Sequence, residues 1–151
     1  MTKKLMLGLG GTVDYEIRWD SAVLESLVAQ YSVTAAELDA RLPITSERDL
    51  LVALLAFVRD GVGGERFVAS SDIVEQFAAR FSTEITLGGT CVRAAIAMEA
   101  LNIPATVHLV SIDDNVRRLL PESTRYISSA QEDSLDPHLI VQFGEGASVV
   151  A

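Results

Sequence analysis

The sequence predicts an α/β fold, and three observations carry the prediction. Ile85-Thr-Leu87 is β-rich and meets Gly88-Gly89; an alanine-rich stretch from Thr90 to Leu101 then reads as a helix stopped by Asn102 and Pro104, and Thr106-Val-His-Leu-Val110 is apolar again. Strand, turn, helix, stop and strand in that order form the basic unit of an α/β sheet. Lys4-Leu-Met-Leu-Gly-Leu9 is a second apolar run of strand length, apolar on both faces as buried strands are. The stretch from Asp20 to Phe81 carries its apolar residues at helical spacing. At 151 residues and 49% hydrophobic, with mean hydropathy +0.30, the chain can bury the core of one domain. No internal repeat or linker divides it, so residues 1–151 read as a single unit.

In chain order, Lys4–Leu9 opens the sheet and Gly10-Gly-Thr-Val-Asp14 is its exit loop. Ligands of open α/β sheets gather outside the carboxyl ends of the strands, which places Asp14 for a site; an Asx turn or helix cap would use the same residue. Tyr15-Glu-Ile-Arg-Trp19 alternates apolar and charged residues, as a half-exposed strand does, and suggests a small flap in place of the next helix. Asp20 or Ser21 can cap a helix bearing Val23, Leu24, Leu27, Val28 and Tyr31 on one face. Thr34 and Glu37 have capping-box spacing ahead of Leu38 and Leu42. Thr45 or Ser46 starts a helix through Leu50-Leu-Val-Ala-Leu-Leu-Ala-Phe-Val58, apolar nearly all round and therefore expected against the sheet. Arg59-Asp-Gly61 ends it, and Gly61-Val-Gly-Gly-Glu-Arg66 is a glycine-rich loop carrying one acid, Glu65. Ser71 caps a helix with Ile73, Val74, Phe77, Ala78 and Phe81 on its apolar face.

Beyond the Gly88-Gly89 unit, Ile112 to Leu120 reads as a short helix closed by Pro121, and Arg125 to Ser129 as a short strand. His138–Phe143 and Ala147–Ala151 flank Gly144-Glu-Gly146 as a hairpin. Few core strands are visible for an α/β sheet, and the chain stops inside the last of them. The expectation is a part of a larger protein.

Composition excludes several classes. Net charge is −9, from 21 acidic against 12 basic residues, and no basic cluster offsets it, so nucleic acid is not expected as a partner. The one cysteine, Cys91, allows neither an internal disulfide nor a cysteine-rich zinc site. No apolar run approaches the roughly 18 residues of a membrane span, and the glycine-broken N-terminus is not expected to be a cleavable leader; a cytoplasmic setting with no membrane partner is expected. There is no Gly-x-x-x-x-Gly-Lys-Ser/Thr phosphate loop, and Gly8-Leu-Gly-Gly-Thr-Val13 ends in valine where a dinucleotide fingerprint needs a small residue. The same run resembles the Asp-x-Gly-Gly-Thr loop of hexokinase-like kinases with Leu9 in place of the acid. His108 and His138 lack ligand-like spacing, and Ser70-Ser71 has no nucleophile elbow. Asp113-Asp114 suits a helix N-terminus.

Three loops remain as candidates: Asp14, Glu65 and Gly88-Gly89-Thr90. The first amides of a helix have no partner inside it and carry partial positive charge, and glycines without Cβ let a ligand approach the main chain. A tight strand-to-helix turn would need the same glycines. Two carboxylates with main-chain amides suit a polyhydroxylated ligand, since carboxylates accept from hydroxyls and amides donate to them.

In this order the loops resemble those of the ribokinase-like sugar kinases, and among them the ADP-dependent glucokinase and phosphofructokinase branch. Gly11-Thr-Val-Asp14 is similar to the branch's Asn-x-Asp loop, keeping the aspartate but not the asparagine. Gly61-Val-Gly-Gly-Glu65 resembles its Gly-Lys-x-x-Glu loop, Leu87-Gly-Gly-Thr-Cys-Val92 its Gly-Gly-Gln-Ala-Gly motif, Leu101-Asn-Ile103 its helix end, and Ile140-Val-Gln-Phe-Gly-Glu-Gly146 its Ile-Phe-Glu-Phe strand and turn. The resemblance covers nearly the whole chain.

It implies a partial ribokinase-like three-layer α/β/α core with a small β-sheet lid, formed by Tyr15–Trp19 and the C-terminal hairpin. It implies a sugar or sugar phosphate as substrate, with Asp14, Glu65, Gly88, Gly89 and Thr90 around it; Glu65 leans towards a glucose-type sugar. The complete enzyme would use Mg²⁺ and a nucleotide, ADP or ATP, neither expected on this chain alone. The family's catalytic base lies in a Gly-x-Gly-Asp motif, which this sequence does not contain. The resemblance therefore implies the sugar-binding N-terminal part of a kinase, inactive by itself because phosphoryl transfer rests on positioning and charge stabilisation. The alternatives are a non-catalytic ligand-binding or interaction domain, pairing as a homo-oligomer through the lid or exposed apolar faces, and a hexokinase-like fragment built around Gly10-Gly11-Thr12.

Overall fold

Short polar side chains set the helix starts. In the computed structural model, which describes residues 5–144 and 147–149, Asp20 accepts from the amides of Ala22 and Val23 and opens α1 (Ser21–Tyr31). Ser46 accepts from Asp49 N and opens α2 (Glu47–Asp60), and Ser70 accepts from Asp72 N and opens α3 (Ser71–Ala78). The cap of α3 thus lies one residue before the expected Ser71. Asp113 does the same for α5 (Asp114–Leu119). Each bond satisfies an amide that has no partner inside its helix. Among the described α-helices, only α4 (Thr90–Ala100) starts on a glycine, Gly89, with no side-chain cap.

The described residues form an α/β structure with five α-helices and two three-stranded sheets, as the sequence predicts. The chain divides into two compact units, one of Met1–Glu16 with Glu84–His138 and the other of Ile17–Thr83 with Leu139–Ala151. Strands β2 (Thr12–Arg18), β3 (Thr83–Gly88) and β6 (Pro137–Gln142) form one sheet in the order β3-β2-β6, and the unit boundaries fall inside these strands. Of the expected C-terminal hairpin, the first strand is present as β6. Residues 147–149 carry no strand, and Glu145, Gly146, Val150 and Ala151 lie outside the described residues.

The first unit holds the other sheet. Strands β1 (Leu5–Leu7), β4 (Ala105–Leu109) and β5 (Arg125–Ser128) run parallel in the order β1-β4-β5, with Leu7 beside Val107 and Val107 beside Tyr126. Helix α4 covers one face, packing on β4 and β1. Val92 and Ala95 of α4 and Val107 and Leu109 of β4 are almost wholly buried in that core. The expectation of a strand buried on both faces needs correction. Met6 is 62% exposed, on an edge strand of the sheet whose α4 side faces the core, and Leu9, 80% exposed, lies beyond the end of the strand. His108, on the middle strand, has a buried Nδ1 with no hydrogen-bond partner among the described residues.

The second unit is mainly helical. Leu50, Leu51, Val52, Ala53, Leu55, Ala56 and Val58 of α2 are all buried, so the helix is apolar nearly all round, as expected. Its close neighbours are α1 and α3. The position expected against a sheet gives way to helix-on-helix packing because α1 presents Leu24 and Leu27 and α3 presents Val74 and Phe77 as buried stripes. Thr34 and Glu37 form their capping box, but around a single 3-10 turn, Ala35–Glu37. Burial pushes the Asp49 carboxyl up, and bonds from Thr45 and Ser46 outweigh it to hold that group below the usual aspartate range. Gly61, at φ +63, closes α2 in the left-handed conformation. Trp19 and Phe143 meet in a tilted pair, 5.8 Å between ring centres.

Candidate functional site

Side chains of a strand alternate between its two faces. On β2 this puts Thr12, Asp14 and Glu16 on one face and Val13, Tyr15 and Ile17 on the other. Val13 and Tyr15 pack with the α4 core of the first unit. Asp14 therefore sits on a strand, not in the exit loop expected from the sequence: the strand begins at Thr12. It is only 8% exposed. A carboxylate so buried needs partners. Thr12 Oγ1 donates to its Oδ1 at 2.8 Å, while Oδ2 accepts no hydrogen bond among the described residues and faces Arg93 Nη2 at 3.7 Å.

The glycines explain how the carboxylate fits. A Cβ on Gly88, the last residue of β3, would collide with Thr12 Oγ1 and with both carboxylate oxygens of Asp14. Asp14 thus lies directly on the main chain where β3 ends. Gly89 follows at φ +87, and a Cβ there would stand 2.9 Å from Gly11 Cα and 3.2 Å from Gly10 O. The Gly10-Gly11 and Gly88-Gly89 turns touch backbone to backbone. Cys91, itself buried, reinforces that contact from the first turn of α4, its thiol donating to Gly10 O.

Three ionisable side chains stand around Asp14. Arg93, one turn into α4, has a side chain 61% exposed and brings Nη2 to 3.7 Å from Asp14 and 4.0 Å from Glu16 Oε1. Glu16 Oε1 is held by Thr86 Oγ1 at 2.7 Å. His138, the second residue of β6, places Nδ1 3.9 Å from Asp14 Oδ1, an ion pair only when the imidazole is protonated. The Arg93 pairs lie beyond hydrogen-bond distance and close to solvent, so each contributes at most about 1 kcal/mol. The guanidinium keeps its donors available.

Of the residues singled out from the sequence, the first unit brings together Asp14, Gly88, Gly89 and Thr90, the last exposed at the start of α4. Glu65 belongs to the second unit, where it is exposed in the loop after Gly61. Thr12, Glu16, Thr86, Arg93 and His138 escape the sequence reading. Strand alternation through 12, 14 and 16 could have found Glu16, and helix spacing from Thr90 could have found Arg93. Nothing local marks His138, since its place depends on β6 lying beside β2.

The cluster can accept hydrogen bonds from hydroxyl groups at Asp14 and donate from Arg93 and the first amides of α4. Among the described residues no group of three or more His, Cys, Asp or Glu side chains could hold a metal ion. No described helix is long and apolar enough to cross a membrane. A family model described as the ADP-specific Phosphofructokinase/Glucokinase conserved region matches residues 3–151. Comparison with curated proteins finds no match.

Proposed function

Because this chain belongs to the ADP-specific phosphofructokinase/glucokinase family, we propose that it supplies the sugar-binding part of a kinase that moves a phosphoryl group from a nucleotide, ADP by the family's character, to a sugar hydroxyl. The observation that carries this reading is the buried Asp14 carboxylate, pinned by Thr12 through one oxygen and left with Oδ2 as an acceptor. A sugar hydroxyl donating to Oδ2 makes a charge-assisted bond of the kind a buried carboxylate can supply. The Gly88-Gly89-Thr90 main chain forms the floor, where the absent side chains admit a ring to the backbone. Glu65 adds a second carboxylate, and Tyr15–Trp19 with β6 form a lid. Mg²⁺, the nucleotide and the general base belong to other parts of the kinase, so this chain alone does not transfer phosphate. A ribokinase-like core and a cytoplasmic setting complete the proposal.

Calorimetric titration of the chain with glucose, fructose 6-phosphate and ribose tests it. At least one should bind. Asp14→Ala should weaken that binding about 10- to 100-fold, the loss of one charge-assisted hydrogen bond, and Glu65→Ala should weaken it as well. A folded wild-type chain that binds none of the three removes the reading.

A second reading rests on the uncovered face of the β1-β4-β5 sheet, where Met6 and Ile127 stand 62% and 49% exposed. Parallel sheets are ordinarily covered on both faces, and a second copy of the chain would cover this one. Sedimentation equilibrium should then show a dimer that Met6→Asp and Ile127→Asp dissociate; a monomer at micromolar concentration rejects it.

A further inference from the structure

Glu16 stands two residues after Asp14 on the same face of β2, and its carboxylate is not used by the strand itself. Thr86 Oγ1 donates to Oε1 at 2.7 Å, which fixes the carboxylate beside Arg93. The one guanidinium then lies between two carboxylates, 3.7 Å from Asp14 and 4.0 Å from Glu16. We infer, resting on the sugar-pocket reading above, that Glu16 sets the charge preference of this pocket: it shares Arg93 with Asp14 and turns the pocket towards an uncharged sugar and against a sugar phosphate.

The physical argument is one of local charge. Two carboxylates around one guanidinium leave an excess of one negative charge, in a chain whose net charge is already −9. A phosphate monoester brings a further charge of about −1.5 to −2 at neutral pH. To hold it, Arg93 would have to leave both carboxylates, and they would remain nearby to repel the ester. An uncharged hexose needs neither change. Its hydroxyls donate to Asp14 Oδ2 and accept from Arg93 where it stands. Without Glu16, the excess charge falls to zero and the Arg93 fork, suited to bidentate contact with phosphate, is held by Asp14 alone.

The test compares glucose and fructose with their 6-phosphates by calorimetry on the whole chain at pH 8, above the range in which imidazoles ordinarily carry a proton. The wild type should bind an uncharged hexose more tightly than its 6-phosphate. Glu16→Gln keeps the shape and the acceptor for Thr86, and should narrow that ratio about 5- to 30-fold, the effect of removing one like charge at partly screened range. Adding Arg93→Gln should cancel the gain, because the gain runs through the guanidinium. A wild type that prefers the 6-phosphate, or a folded Glu16→Gln chain with an unchanged ratio, overturns the role of Glu16 while leaving the sugar pocket in place. If no sugar binds at all, both fall together.

Discussion

Replacing Gly89 by alanine should lower the melting temperature by about 5–15 °C. At φ +87 and ψ 133 the residue holds a backbone conformation that side-chain-bearing residues adopt only at a cost of roughly 1–3 kcal/mol. The new Cβ would also stand 2.9 Å from Gly11 Cα. That neighbour is main chain and cannot rotate aside, so the two turns must separate, which adds roughly 1–3 kcal/mol of overpacking. The combined loss is large beside the total stability of a domain, which is about 5–15 kcal/mol. Gly63→Ala is the control, since a Cβ there meets nothing within 4 Å and should leave the transition where it is. Thermal unfolding followed by circular dichroism measures both. A Gly89→Ala chain melting with the wild type would show that the contact between the two glycine turns does not hold the strand-to-helix junction.

Glu47→Ala should cost about 2–4 kcal/mol, read from urea denaturation. Glu47 is 8% exposed at the first position of α2. It accepts from Arg80 Nε and Nη2 at 3.0 and 3.1 Å and from the Tyr31 hydroxyl, so one carboxylate ties α2 to the end of α1 and to the turn after α3. Removing it leaves Tyr31 and Arg80 without their acceptor. The cost stays near the lower end for buried pairs because the Arg80 side chain is 43% exposed and water can reach it. The same bond gives a pH signature. Hydrogen bonding to Glu47 first, then burial and the Glu47 charge, push the Tyr31 phenol above its usual value. A group whose folded pKa is raised contributes stability that is fully present below the unfolded value, about 10 for tyrosine, and is lost as pH rises through the folded one. The stability difference between wild type and Tyr31→Phe should therefore hold constant through neutral pH and shrink only above about pH 10. A difference that changed between pH 6 and 9 would contradict the assignment.

Much of the fold is legible in the sequence because it is decided within a few residues. Asp20, Ser46 and Asp113 cap the helices that their spacing marks, and Gly61 and Asn102, both at positive φ, stop the chain where they stand. The parallel strands Ala105–Leu109 and Arg125–Ser128 lie close to their expected positions. Errors arise where burial depends on distant partners. Lys4–Leu9 looks doubly buried in sequence, yet whether a face is covered depends on what lies across it, and Met6 is left 62% exposed. The candidate site follows the same division. Asp14 and the Gly88-Gly89 turn stand out as residue types, whereas their contact does not.

By itself the sequence determined the α/β class, most element boundaries, the residues that carry the family resemblance and the acidic character of the chain. Those properties follow from local propensity, capping and composition, which act over one or two turns of chain. Only the tertiary structure decided that Asp14 is a buried strand residue lying against Gly88, and that Arg93, Glu16 and Thr86 complete its surroundings. Strands distant in sequence become neighbours through sheet pairing, and the register of that pairing, which no single stretch encodes, sets which side chains share a face.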